Sequence, residues 1–148
     1  MRAELREIND SNMEECLALT VSAEQVQYIS PNADSLKEAD GVPKIARPFA
    51  LNVHDRMVGF AKFAIDEINE DPDKYRLWRF MIDEEFQGKG YGSAALEAII
   101  EYFRENGADE ITLSTKENNT AALGLYHKFG FSENGEMNGE ETVLKKPL

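Results

Sequence analysis

The sequence predicts a mixed α/β domain with a central sheet flanked by helices, and three observations predict it. Residues 77–82 read as an apolar strand, four residues before Gln87-Gly88-Lys89-Gly90-Tyr91-Gly92. An apolar strand that runs into a glycine-rich turn and then a helix is a signature of α/β folds. After the turn, Leu96, Ile99, Ile100 and Phe103 recur at i, i+3, i+4 and i+7, which gives one apolar helical stripe. Residues 110–114 then read as another strand, so the helix is a crossover between parallel strands.

The elements follow in order. Residues 4–8 fit a first, edge strand. Asn12 with Glu15 three positions on has capping-box spacing, so a helix is expected over 13–19. Ser22 and Gln25 repeat that spacing for a short second helix, which Pro31 should stop, and 35–39 reads as one further helical turn. Residues 46–53 and 57–65 read as two strands joined by a tight turn at His54-Asp55-Arg56. The polar stretch 67–74, with Pro72, is a loop, and 75–82 is the central strand. The striped helix spans 92–105, with Gly107 suited to its C-terminus. A last helix is expected from Asn119 or Thr120 to just before Gly130. Residues 131–132 and 142–145 then pair as a hairpin about a turn at 135–139. With no repeat, linker or low-complexity segment, residues 1–148 read as one domain, long enough to bury a core without disulfides or metal.

The glycine turn carries chemistry. Glycines at 88, 90 and 92 let the backbone approach a ligand closely. A helix N-terminus behind them presents unpaired N–H groups, which suits a phosphate or pyrophosphate. The P-loop spacing is absent, and position 93 is Ser where a dinucleotide fingerprint needs its third Gly. A glycine-rich loop without a ligand is the alternative that the motif alone leaves open.

Gln87-Gly88-Lys89-Gly90-Tyr91-Gly92 resembles the Gln/Arg-x-x-Gly-x-Gly/Ala acyl-coenzyme A pyrophosphate loop of the GCN5-related N-acetyltransferases (GNAT). Asn119 through Phe131 resembles the same superfamily's Asn-x-x-Ala-x-x-x-Tyr-x-x-x-Gly-Phe segment. Val21-Ser22 and Tyr28-Ile29-Ser30-Pro31-Asn32 look more narrowly like bacterial spermine/spermidine (diamine) acetyltransferases. The resemblance implies the GNAT acyl-CoA N-acyltransferase fold, with a mixed, mostly antiparallel sheet. It implies an N-acetyltransferase that moves the acetyl group of acetyl-CoA to a primary amine, most simply a polyamine, by direct attack.

The same resemblance assigns residues. The pantetheine arm would run along the backbone of Met81, Ile82 and Asp83, and the pyrophosphate would sit at Gln87, Gly88, Lys89, Gly90, Tyr91, Gly92 and Ser93. Lys89 either touches a phosphate or is solvated, and Gln87 is expected to fix the loop. Asn119, Ala122, Tyr126 and Lys128 complete the cofactor side. Tyr126 is the candidate proton donor to the departing thiolate, because a tyrosine hydroxyl stays protonated at neutral pH. Asp83 and Glu84, after the central strand, are candidates to take the amine's proton. Tyr28, Glu38, Asp40 and Trp78 are candidates to hold a cationic substrate through carboxylates and aromatic faces. Another amine acceptor (an aminoglycoside, a protein N-terminus or a lysine) and a non-catalytic coenzyme A-binding regulator are the alternatives.

Composition bounds the partners. With 28 acidic and 16 basic side chains the formal charge is −12, which disfavours nucleic acid and anionic membranes and favours a small cationic amine. The single cysteine, Cys16, lies in an apolar stretch and reads as a buried small hydrophobe. His54 and His127 are the only histidines; His54 falls in the turn, and no metal-ligand spacing appears. The chain shows no signal segment and no membrane-length apolar run, so a cytoplasmic protein is expected. Strands near both termini leave sheet edges open, which favours a homodimer over a charge-protected monomer.

Overall fold

A computed structural model of the chain describes residues 1–21, 25, 31–67 and 73–148. The strands are β1 (Glu4–Glu7), β2 (Ala46–Val53), β3 (Arg56–Ile65), β4 (Tyr75–Ile82), β5 (Glu110–Lys116), β6 (Ser132–Asn138) and β7 (Glu141–Pro147). The helices are α1 (Met13–Ala18), α2 (Asn32–Gly41), α3 (Tyr91–Glu105) and α4 (Thr120–Lys128), with a short 3-10 turn at Glu84–Phe86. The seven strands make one sheet in the order β1-β2-β3-β4-β5-β7-β6. All neighbours are antiparallel except β4 and β5, which run parallel and are connected through α3. This is the mixed, mostly antiparallel sheet with flanking helices that the resemblance implies.

Side chains alternate across the sheet. Phe49, Leu51 and Val53 of β2 and Ala61, Phe63 and Ile65 of β3 share a buried core with Leu96, Ile99, Ile100 and Phe103 of α3. Full burial of each large side chain in that stripe contributes roughly 1.5–3 kcal/mol. Ala50 and Phe60, one position out of phase, join Cys16 of α1, Met57 and Met81, with Leu36 of α2 packed alongside.

The β2–β3 turn has the geometry of a two-residue hairpin loop without glycine. His54 and Asp55 both adopt positive φ, 51° and 63°. Asp tolerates that region better than most residues. Gly107 takes φ +84° just past α3 and ends it as expected.

Three expectations are corrected. Asn12 makes no side-chain cap on α1: its Oδ1 accepts from the Asn9 amide and its Nδ2 donates to the Glu7 carbonyl, so it ties the preceding turn instead. The expected single turn at 35–39 is a ten-residue helix, with Pro31 standing immediately before it. The periodicity was hidden because its buried face is Asn32, Ser35 and Ala39, two of them polar. β6 is also longer than expected: Gly135 lies within it, at a register shift between Glu133 and Met137, and the chain turns at Gly139 and Glu140 instead. The short helix expected after Ser22 lies outside the described residues.

Candidate active site

The sheet opens along one line. β4 pairs with β3 as far as Ile82, but pairs with β5 only at Arg76 and Thr112. Beyond that point the parallel strands diverge, and alternate backbone N–H and C=O groups of β4 face a gap instead of a ladder. Two cavities fill the gap, about 160 and 250 Å³, and Phe80, Asn119, Ala122 and Tyr126 line both. A third cavity of about 600 Å³ shares Leu77, Trp78, Arg79, Ser114 and Glu141 with the first and extends to Asp73 and Glu136.

The glycine loop borders the second cavity through Gln87, Gly88 and Gly92. Gly88 and Gly90 take φ +73° and +85°, and a Cβ on either would meet nothing within 4 Å. These two glycines are therefore required by the left-handed backbone, and the space over them is open. Gly92 lies inside α3 and does not need to be glycine for its own conformation. Gln87 fixes the loop, donating from Nε2 to the Ile82 carbonyl at 2.9 Å and to Gln25 Oε1 at 2.6 Å. Tyr91 packs edge-on against Phe86. The first turn of α3 carries no acidic residue. Lys89 Nζ donates to the Glu85 carbonyl, and Lys128 Nζ reaches Ser93 Oγ at 3.5 Å, so both cations are exposed beside the loop.

Asn119 caps α4 by accepting from the Ala122 amide, and its Nδ2 donates to Thr115 Oγ1. One helical turn after Ala122, Tyr126 is buried at 8% exposure against Phe131, with its side chain bordering both cavities of the gap. Burial pushes its hydroxyl well above the usual tyrosine range, and the charge of Glu141 pushes the same way. It is a neutral hydroxyl donor at physiological pH.

The structure does not bring the other expected acids to this gap. Asp83 caps the 3-10 turn: one carboxylate oxygen accepts from the Thr20 amide at 2.8 Å and the other from the Glu85 amide. Glu84 is exposed and borders neither cavity of the gap. Neither of the two acids expected to take the amine's proton lines either cavity of the gap. Glu38 is engaged elsewhere, with Oε1 3.2 Å from Lys62 Nζ and 3.5 Å from Arg79 Nη2. Lys62 is fully buried, donates to the Ser35 carbonyl and sits 3.7 Å from the Trp78 ring centroid. Burial lowers the Lys62 pKa, and Glu38 partly offsets that. The aromatic face and carboxylate expected to hold a substrate cation thus hold a lysine of the chain itself, although Trp78 still borders the first and third cavities. Asp40 is exposed on α2 and lines none of the three cavities. Tyr28 lies outside the described residues. His54 is exposed, and His127 points away from the gap to pair with Glu133.

Sequence reasoning missed Glu141, which borders the first and third cavities and accepts from Ser114 Oγ at 2.9 Å. Its neighbour Glu140 and 26 other acids gave no local reason to choose it. Only the β5–β7 pairing, with Lys116 opposite Glu141, places it at the gap.

Comparison with known proteins agrees with this geometry. A model described as "Acetyltransferase (GNAT) family" matches residues 9–131. The chain is 37% identical to a spermine/spermidine N(1)-acetyltransferase of Bacillus subtilis (strain 168) over 99% of each chain. It is 30% identical to a [ribosomal protein bS18]-alanine N-acetyltransferase of Escherichia coli (strain K12) over 66% of this chain and 70% of that one. Its fold matches the crystal structure of PaiA N-acetyltransferase from Thermoplasma acidophilum in complex with coenzyme A, with a TM-score of 0.71 over 100% of both chains at 18% identity. Among the described residues no helix is long and apolar enough to cross a membrane. The chain belongs to the acetyltransferase (GNAT) family, the acetyl-CoA-dependent N-acetyltransferases.

Proposed function

We propose that this protein acetylates a polyamine such as spermidine or spermine. The observation that carries the substrate is the 37% identity, over 99% of each chain, to a spermine/spermidine acetyltransferase. The acidity of the chain, formally −12, favours a polycation on approach.

The gap suits acetyl-CoA. Gly88 and Gly90 leave open space at the loop, α3 starts there without an acid in its first turn, and Lys89 and Lys128 stand beside it. Together they would hold an anionic pyrophosphate, with the helix N-terminus adding about 0.3–1 kcal/mol per charge. Residues 77–82 of β4, without β5 partners, would bond an extended amide arm as an added strand would. When bound, acetyl-CoA supplies an acetyl group activated as a thioester. Tyr126 would hold a proton at its hydroxyl for the leaving sulfur, and Asn119 and Ala122 would shape the wall beside it.

An amine screen with acetyl-CoA, read by thiol release, tests the reading. Spermidine and spermine should turn over with the highest kcat/KM. Faster turnover of aminoglycosides or of peptides with a free N-terminus would overturn the substrate and leave the acetyltransferase standing. We also propose a homodimer formed through a sheet edge. β1 and the wholly exposed β6 are the two edges of the sheet. Sedimentation velocity at micromolar concentration should show a dimer, and a single monomeric species with and without acetyl-CoA would refute it.

A further inference from the structure

We propose that Glu141 is the catalytic base that takes the proton from the acceptor ammonium; this rests on the amine acetyltransferase reading above. Direct attack requires a neutral nitrogen, and a polyamine arrives protonated. The base must therefore stand where the nitrogen meets the acetyl group, within reach of the residue that serves the leaving group. Among the described residues lining the cavity that contains Tyr126, Trp78 and Asn119, Glu141 is the one carboxylate. It also lines the larger cavity on the side of Asp73 and Glu136, so it stands where the two spaces join.

Its geometry is prepared for the task. Glu141 is half-buried at the start of β7, held at a fixed position by its pairing with Lys116 of β5 and Asn138 of β6. Ser114 Oγ donates to one carboxylate oxygen at 2.9 Å. The charged and titratable groups around it are Tyr126 from α4, Arg79 and Arg76 from β4, Lys116 from β5, and Asp73 and Glu136 across the larger cavity. Its charge is felt at the Tyr126 hydroxyl, whose ionisation it opposes. Asp83, by contrast, caps a turn, and Glu84 borders neither cavity of the gap.

The proton balance closes. The ammonium gives one proton to the Glu141 carboxylate. The freed nitrogen lone pair forms the C–N bond to the acetyl carbon as the C–S bond breaks. The sulfur takes the Tyr126 hydroxyl proton, the nitrogen loses its second proton to restore that hydroxyl, and Glu141 releases its proton to solvent. One proton is produced per acetylation, and no other reactant is needed.

The test compares Glu141→Gln and Glu141→Asp with the parent on spermidine. At pH 7, Glu141→Gln should lower kcat/KM about 10²-fold or more while calorimetry shows acetyl-CoA affinity within about twofold. The deficit should shrink by up to about tenfold per pH unit as more amine is already neutral in solution, which a folding or packing defect would not do. Glu141→Asp should recover part of the rate. In ligand-free protein with ¹³C-labelled tyrosine, assigned through Tyr126→Phe, Glu141→Gln should move Tyr126 ionisation to lower pH. A Glu141→Gln enzyme within about threefold of the parent, or a deficit constant with pH, overturns the proposal. If the parent leaves spermidine untouched and acetylates a peptide amine, the polyamine reading fails and the pH trend on that amine decides for Glu141. If the parent acetylates no amine, the acetyltransferase reading fails, and an unmoved Tyr126 titration would also overturn the proximity on which Glu141 depends.

Discussion

The two edges of β4 meet different neighbours. Toward β3 the ladder runs from Tyr75 to Ile82, broken only by a register shift between Lys62 and Phe63. Toward β5 there is a single pair, Arg76 with Thr112. On the closed side the backbones approach so nearly that a Cβ on Gly59 would lie 2.3 Å from the Met81 carbonyl oxygen. On the open side a Cβ at Gly92 would make ordinary contact, 3.5 Å from Leu125. One strand therefore anchors the fold with one edge and offers unpaired polar backbone with the other. An edge left unpaired inside a sheet is a liability unless something fills it, and in the reading proposed above the filler is the arm of acetyl-CoA. The closed seam predicts losses of stability, and the open seam predicts losses of rate and affinity.

The largest effect belongs to the open seam. Tyr126→Phe deletes the hydroxyl and keeps the ring that packs on Phe131. It should lower kcat about 10²–10⁴-fold with acetyl-CoA affinity and melting temperature close to the parent. Steady-state kinetics beside calorimetry check it, and a rate within about twofold of the parent would move the proton to another donor.

Next comes the closed seam. Gly59→Ala places a methyl against a backbone oxygen and against Ile82 and Leu51, in a ladder that cannot shift without breaking pairs on both sides. Urea unfolding should show a loss of about 1–3 kcal/mol. Gly92→Ala should stay within about 1 kcal/mol of the parent in the same assay. Equal losses at the two positions would erase the distinction between the seams.

Gly90→Val returns to the open side. It forces a β-branched residue to φ +85°, which costs about 1–2 kcal/mol of stability, and it fills the space above the loop. Acetyl-CoA affinity should fall more than tenfold, or about 1.4 kcal/mol, by titration calorimetry. Unchanged affinity would separate the loop from the cofactor.

The contrast between the seams also explains what the sequence could express. β4, α3 and the β2–β3 hairpin are written locally, in apolar runs and one stripe of period 3.6, and they appear as expected. The places of Tyr126 and the glycine loop beside the gap were legible because both lie within short, spaced motifs. Lys62 was illegible: an isolated lysine in a strand reads as solvent-facing, and its burial under Trp78 depends on α2 supplying Ser35 and Glu38. α2 itself was underestimated because Asn32, which donates to the Cys16 carbonyl, and Ser35 occupy its inner face. Glu38 and Asp40 were nominated by the resemblance as carboxylates after the first helix, and a place in the sequence does not say which way a helix faces. Glu141 needed a strand insertion, β7 between β5 and β6, that no local pattern encodes.

The smallest expected effect tests the rear of the closed seam, where Cys16 sits fully buried with Ala50, Met57, Phe60 and Met81. Burial pushes its thiol up to about 11 from 9.0, with the Asn32 side chain opposing weakly. Because the folded-state pKa lies above the unfolded one, the unfolded chain releases this proton first as pH rises. Between pH 9 and about 11 the folded state holds more protons, so stability falls with pH, and below pH 9 this group contributes no slope. The loss should reach about 1 kcal/mol at pH 10. Tyr126 adds a loss of the same sign above pH 10, and Lys62, whose pKa is lowered, adds a gain as it loses its charge. Cys16→Ala isolates the thiol, since it leaves both of those groups in place. Urea titrations at pH 8 and pH 10 should show the parent losing about 1 kcal/mol more than Cys16→Ala between the two. Parallel losses would mean that water reaches the thiol, and that the closed seam is no drier behind β3 than the open seam is before β5.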